Sequence, residues 1–185
     1  MGNRAVITTQ KNFDNNGVGI YLHWNGGRDS VEAFLKYCEL QGYRSPEKDN
    51  YGWAYLCGVI TNFFGDGMSC GIDVVGNLDC DNGDNGVYII EDWKIVGRKF
   101  FKGEEQYMHS MKDIIDHINE RMPIEMQLTE EDYLMNVITP FTDDKEKMRD
   151  FFVLSKEEFL FSYSYLTKEE YDATVKDVMD RIRGK

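Results

Sequence analysis

The first clear pattern of apolar and polar positions is a strand followed by a helix near the start of the chain. Apolar side chains alternate with polar or small ones over Val18–Trp24, which is the period of a half-buried strand. Apolar residues then recur at helical spacing, and the pattern predicts a helix over 30–40. We expect Asp29 to cap this helix and Gly42 to end it.

Further strands and one more helix are predicted before residue 103. The β-prone run Arg4–Thr9 is expected to form an antiparallel hairpin with Val18–Trp24. The wide apolar face of Tyr51–Phe64 predicts a second helix, which should be the most buried one. The other predicted strands are Ser69–Val75, Gly86–Ile90, Trp93–Val96 and Lys99–Lys102. These elements predict an α+β fold, with an N-terminal antiparallel sheet, two covering helices and a helical C-terminal region.

The pattern becomes helical after Gly103. Apolar side chains from Met111 to Ile118 predict a helix that stops near Pro123. A helix-start signal then occurs three times, at 128–133, 154–159 and 166–171: an apolar residue, a hydroxyl residue, acids and an aromatic. We therefore expect an α+β sheet domain over 1–103 and an acidic helical region over 104–185, packed together as one compact unit.

The charge of the chain is strongly negative and unevenly distributed. Its 185 residues carry a net charge of −12, with 13 acidic and 10 basic side chains in 1–103 but 20 and 11 in 104–185. Such a chain binds nucleic-acid backbone poorly. Solubility alone is the favoured reason for the charge, and the alternative is a protein partner whose own groove is basic. The predicted partner-binding surface consists of nine carboxylates: Glu130, Glu131, Asp132, Asp143, Asp144, Glu157, Glu158, Glu169 and Glu170.

The basic residues are densest between positions 94 and 102. Lys94, Arg98, Lys99 and Lys102 are interleaved with aromatic side chains in this segment. Charge combined with stacking would let the segment contact a nucleic-acid strand. The alternative is an edge strand protected from aggregation by its lysines.

Two groups of side chains suggest a metal site. The acidic turn Asp79–Gly86 resembles a calcium loop, but Gly83 stands where a carboxylate is needed and strands flank it, so a hairpin loop is favoured. His109, Asp113 and His117 would share one face of a helix, and a solvated surface is favoured over metal binding. We expect no metal and no cofactor.

Signals for catalysis and for subcellular location are weak. His23 is a candidate general base without an identifiable nucleophile, and Asn25–Arg28 offers an anion site without the spacing of a nucleotide-binding loop. The four cysteines lack a C-x-x-C pair, so we expect reduced, buried thiols. Without a signal segment or an apolar run that would cross a bilayer, the sequence predicts a soluble cytoplasmic protein, and we favour a binding protein over an enzyme.

Two segments carry a resemblance to known proteins. Gly2–Thr8 and Tyr21–Gly27 resemble small proteins of phages and mobile elements of Firmicutes-type bacteria, and the chain is similar in size and charge to anti-CRISPR inhibitors. The resemblance implies a non-catalytic inhibitor in the bacterial host, whose acidic surface occupies the basic channel of an RNA-guided nuclease or its nucleic-acid complex. Two alternatives remain open: a regulatory or structural interaction module of a mobile element, which docks through the helices after residue 104, and a small enzyme that uses His23.

Overall fold

Five strands and three helices make up the described part of the computed structural model, which covers residues 2–11, 16–65, 69–102, 105 and 109–129. The strands are Ala5–Thr8 (β1), Val18–Leu22 (β2), Cys70–Val74 (β3), Val87–Glu91 (β4) and Lys94–Lys99 (β5). The helices are Arg28–Leu40 (α1), Asn50–Phe64 (α2) and Met111–Arg121 (α3). The predicted α+β class is confirmed.

The five strands form one sheet in the order β3-β2-β1-β4-β5. The predicted hairpin is confirmed, since β1 and β2 pair antiparallel with Ala5 opposite Leu22. The sheet is mixed, because β4 pairs with β1 in parallel while the other pairings among the described strands are antiparallel. The two parallel strands are separated in sequence by two strands and two helices, and a long connection of this kind is what parallel pairing requires.

One strand, β5, occupies the segment where two short strands were predicted around Gly97. Gly97 lies within this strand, opposite Ile89. A Cβ at this position would lie 3.4 Å from Ile89 Cδ1, which is an ordinary van der Waals contact. Gly97 therefore does not break the strand, and an irregularity in the register lies between Ile89 and Ile90.

The apolar core is centred on β1, whose four residues are completely buried. Burial of every residue in a strand requires cover on both faces of the sheet, because side chains alternate between the faces. The helices supply a layer in which α1 contacts both α2 and α3, and Phe34 of α1 packs edge-on against Phe63 with a centroid distance of 5.1 Å. Over Gly19 of β2, a Cβ would lie 2.7 Å from Leu78 Cδ1, so the chain after β3 packs closely there.

The ends of α1 agree only in part with the sequence prediction. The C-terminal end is confirmed: Gly42 has φ +67° and the Tyr43 N–H donates to Cys38 O at 3.1 Å. The predicted cap is wrong, because the helix begins one residue before Asp29 and its N-cap is Gly27. The Asp29 carboxylate instead accepts hydrogen bonds from the backbone N–H groups of Ser30 and His109, each at 2.7 Å.

Residues 1–127 form one compact unit and residues 128–185 a second one. The first unit includes α3, whose predicted end is confirmed at Arg121 with Met122 as the C-cap. Nearly all of the second unit lies outside the described residues, so the predicted division at residue 103 stays a prediction. Among the described helices, none combines the length and the apolar character needed to span a membrane.

Candidate functional site

Three segments that sequence analysis treated separately lie at one end of the sheet. They are the segment 25–29 at the start of α1, the turn over 82–86 and the chain over 98–102. The strand registers explain this placement, because Leu22 pairs with Ala5, Val6 with Val87, and Val87 with Lys99. We define the polar end of the sheet as residues 3–4, 24–29, 82–86, 98–102 and 105.

The buried side chain of Asn82 organises the turn. Its Oδ1 accepts hydrogen bonds from the N–H groups of Asp84 and Gly86, both at 3.1 Å. Its Nδ2 donates to the carbonyl oxygens of Asp79 and Gly86, both at 3.2 Å. Gly86 has φ +70°, and a Cβ there would overlap the carbonyl oxygen of Lys99, so glycine alone fits the turn against β5.

Polar contacts connect the turn to the beginning of the chain. Asn85 Nδ2 donates to Asn3 Oδ1 at 2.6 Å and to Arg4 O at 3.2 Å. Arg4 Nε and Asp84 Oδ2 form an ion pair at 2.7 Å, and the Arg4 N–H donates to the same oxygen at 3.2 Å. Burial acts to raise the pKa of Asp84, but the hydrogen bonds from Arg4 outweigh it and hold the pKa below its ordinary value.

The contacts of the turn account for two carboxylates of the alternative calcium loop. Asp84 pairs with Arg4, and Asp81 lies 3.4 Å from the Lys102 ammonium group. The hydrogen bonds of Asn82 are those of a turn stabilised by an asparagine side chain. Within the described ranges, no three side chains of His, Cys, Asp or Glu lie close enough together to hold a metal ion.

Of the two histidines suggested as a second metal group, His109 does not lie on the helix that contains Asp113 and His117. His109 precedes α3, because Ser110 is the N-cap and its Oγ accepts from the Asp113 N–H at 3.4 Å. The His117 ring packs edge-on against Phe63 with a centroid distance of 5.1 Å. The interpretation that placed all three residues on one face is therefore wrong: the capping serine starts the helix too late to include His109.

The four basic residues of 94–102 do not form one continuous strip. The exposed Lys94 and the half-buried Lys99 lie on one face of β5, opposite Glu91 and Val87, and Lys99 Nζ donates to Lys11 O at 3.0 Å. Arg98 lies on the other face, opposite Tyr88, whereas Lys102 follows the strand and is exposed. Their contact with nucleic acid stays a prediction.

Arg98 is the most enclosed of these cations. Its side chain is 9% exposed, and its Nε donates to Asn85 O at 2.9 Å. The guanidinium group lies 4.4 Å from the ring centroid of Phe101 and 5.6 Å from that of Tyr88. Aromatic rings attract a planar cation in this arrangement, so they stabilise the buried charge.

Arg28, at the start of α1, forms a second cationic centre. Its Nε lies 2.7 Å from Glu32 Oε1 and its Nη1 lies 2.7 Å from Glu105 Oε1. The same Glu105 oxygen is 4.0 Å from Arg98 Nη1, so the two guanidinium groups flank one carboxylate. Burial disfavours the charged form of Arg28, but hydrogen bonds to Glu105 and Glu32 raise its pKa above the ordinary value.

Aromatic side chains at this end of the sheet are exposed to solvent. Trp24 follows β2 and is 44% exposed, while Phe100 and Phe101 follow β5 and are each 49% exposed. The His23 ring packs edge-on against the Trp24 ring with a centroid distance of 5.2 Å and lies 6.4 Å from the Tyr21 ring. Phe100 has φ +54°, a strained conformation for an aromatic residue, and it adjoins Gly86 where the turn meets β5.

The four cysteines are free thiols in weakly reactive surroundings. Burial raises the pKa of Cys38 well above its ordinary range and the pKa of Cys57 to about 11. The pKa values of Cys70 and Cys80 are also raised, chiefly by burial. A thiol reacts as its thiolate, so all four positions are poor nucleophiles at neutral pH.

The predicted acidic surface is the part of the candidate site that the described residues do not include. Its members are Glu130, Glu131, Asp132, Asp143, Asp144, Glu157, Glu158, Glu169 and Glu170.

Comparison with protein-family models, with curated proteins and with solved structures finds no match to this chain.

Sequence reasoning missed several residues of the polar end. Asn82 and Asn85 belong to an Asn-Gly and Asp-rich turn, a local signal that indicates a turn without showing which side chain is buried. Arg4 and Glu105 give no local signal, since their partners are distant along the chain.

Proposed function

We propose that this protein is a non-catalytic binding protein from a phage or mobile element that inhibits a host RNA-guided nuclease through an acidic surface. One observation carries the proposal. At the polar end, charged side chains form ion pairs with one another, while aromatic side chains are exposed to solvent. Arg4 and Asp84 are paired, as are Arg28 and Glu105, and Trp24 is 44% exposed. Exposed aromatic side chains suit recognition of a partner.

The charge distribution supports the choice of partner. Residues 104–185 carry 20 acidic and 11 basic side chains, and residues 1–103 carry 13 and 10. An RNA-guided nuclease holds its heteroduplex in a positively charged channel. An acidic region of this kind would compete with nucleic acid for that channel, and the complementary potentials would accelerate the encounter.

The basic residues near β5 supply a second, smaller contact in this proposal. Lys94 and Lys102 are exposed and follow the same edge of the sheet as Phe100. They would contact nucleic acid bound to the nuclease, through phosphate pairing and base stacking. Contact of this kind would make binding to the nucleic-acid complex exceed binding to the nuclease alone, whereas competition for the channel would make it weaker.

The test uses the full chain and a panel of purified RNA-guided nucleases, each with and without its guide RNA. We expect one nuclease to lose target cleavage in the presence of the protein and to bind it less tightly as salt is raised. Reversing two predicted contact charges, Glu157→Lys with Glu158→Lys, should weaken this binding about tenfold.

A matched control changes the net charge equally at another place. Glu39 and Glu91 form exposed ion pairs with Lys36 and Lys11, and such pairs contribute little to stability. Glu39→Lys with Glu91→Lys should leave binding within about threefold of the original. The proposal fails if no nuclease is inhibited, or if both double variants weaken binding equally, because only overall charge would then matter.

A further inference from the structure

The guanidinium group of Arg98 has a buried donor without a hydrogen-bond partner. Its Nε donates to Asn85 O, and its Nη2 is buried and unpaired among the described residues. The side chain is more than nine-tenths buried, and its planar face is covered by the rings of Tyr88 and Phe101. A charged donor that is removed from water and left unpaired is costly, so its retention calls for an explanation.

A second guanidinium group, that of Arg28, lies on the other side of one carboxylate from Arg98. Nη1 of Arg98 lies 4.0 Å from Glu105 Oε1, and the same oxygen lies 2.7 Å from Nη1 of Arg28. The carboxylate therefore makes a hydrogen bond with Arg28 but stays beyond hydrogen-bond distance of Arg98. The two guanidinium groups thus flank one carboxylate, which forms a hydrogen bond with only one of them.

We propose that Arg28 and Arg98 form a binding site for a phosphate group, which replaces the carboxylate of Glu105. A phosphate presents oxygens in several directions, so it can accept from both guanidinium groups, whereas this carboxylate reaches one. Glu105 is 27% exposed, so its departure would open the Arg98 fork to solvent. Glu32 stays paired with Arg28 and keeps that side chain in place.

The chemistry of the ligand follows from these contacts. The rings beside Arg98 leave only the edge of its guanidinium group for hydrogen bonding, which suits an oxyanion approaching in the guanidinium plane. Free phosphate and the phosphate of a nucleotide or nucleic acid share this chemistry. Phosphate binding is measured on the isolated protein. A chain that fails to bind phosphate could therefore still inhibit a nuclease, so the two proposals fail separately.

The first experiment measures binding of inorganic phosphate to the full chain by titration calorimetry at constant ionic strength. We expect Glu105→Gln to bind phosphate about tenfold more tightly than the unchanged chain, because a neutral amide competes less well for the two cations. Acetate, titrated in parallel, should bind more weakly than phosphate. Equal phosphate affinity for Glu105→Gln and the unchanged chain would overturn the proposal, and acetate binding as tightly as phosphate would overturn the ligand assignment.

A matched pair of conservative variants tests the role of the fork. Arg44 also pairs with a carboxylate, Asp49, at 2.6 Å and lies over a ring, that of Tyr51, at 5.7 Å. Arg98→Lys should weaken phosphate binding about tenfold, because an ammonium group lacks the planar pair of donors, whereas Arg44→Lys should not change it. Equal affinities of the two lysine variants would contradict a site at Arg98. Nucleotides and short single-stranded oligonucleotides, titrated next, identify the source of the phosphate by their relative affinities.

Discussion

The core beside α1 and the polar end of the sheet are held together by different forces. In the core, Phe34 and Leu56 are completely buried and pack without directional bonds. At the polar end, Asn82 and Asn85 are also buried, but their side chains make hydrogen bonds to the backbone, Asn82 through its oxygen and its nitrogen and Asn85 through its nitrogen. Apolar packing depends on volume, whereas a buried amide depends on each partner, so the two regions should respond differently to substitution.

The largest expected effect lies in the core. Phe34→Ala removes a completely buried ring that packs against Phe63, and it should lower the free energy of unfolding by about 3–5 kcal/mol. Ile124, which is 84% exposed, is the control: Ile124→Ala should stay within about 0.5 kcal/mol. Urea denaturation followed by circular dichroism measures both. A small effect at Phe34 would mean that the core rearranges to fill the space.

A methyl group added at the polar end should have the next largest effect. Gly86→Ala combines a positive φ with overlap of the new Cβ and Lys99 O, and should cost about 2–4 kcal/mol. Gly42 has a similar φ of +67° but open space around it, so Gly42→Ala should cost about 1–2 kcal/mol. The difference between these two glycines isolates the close contact with β5. Equal losses would show that backbone conformation alone is responsible.

Loss of the buried amide tests the directional bonds themselves. Asn82→Ala removes the partner of two N–H groups and of the Asp79 carbonyl oxygen, whereas Gly86 O keeps its hydrogen bond from the Val6 N–H; the change should cost about 2–3 kcal/mol. The exposed Asn77, which donates to Asp73 at 3.2 Å, is the matched control and should change stability by less than about 0.5 kcal/mol when replaced by Ala. If thermal unfolding shows similar stability for both variants, the turn does not depend on its side chain.

The smallest expected effect concerns pH. The Arg4 hydrogen bonds hold the pKa of Asp84 below its ordinary value, so the pair stabilises the fold above the unfolded-state pKa of about 3.9. This contribution is lost as pH falls through the lower folded-state pKa. Asp84→Asn should therefore be less stable than the unchanged chain at neutral pH and should approach its stability in acid.

Urea denaturation across a series of pH values measures the difference. The variant Arg4→Gln supplies the control, because Asp84→Asn should have a much smaller effect once the arginine is absent. A constant difference between the unchanged chain and Asp84→Asn at every pH would exclude the ion pair as its source.

The candidate site could be predicted only in pieces. The turn signals of 79–86, the basic residues of 94–102 and the glycines before α1 are visible in the sequence, but nothing in it places them together. The decisive contacts join residues far apart along the chain, as between Arg4 and Asp84 or Arg28 and Glu105. Sequence periodicity reports which face of an element is buried and gives no information about partners at such distances.

Local chemistry determined most of the secondary structure of the described chain. The period of apolar residues predicted the β1–β2 hairpin, α1, α2 and α3, because a half-buried element must repeat apolar side chains at its own period. Tertiary structure alone decided the parallel pairing of β1 with β4, the displacement of Asp29 from its predicted cap and the enclosure of Arg98. These features depend on how elements meet, since strand order and the burial of a cation are set by distant segments that share one sheet.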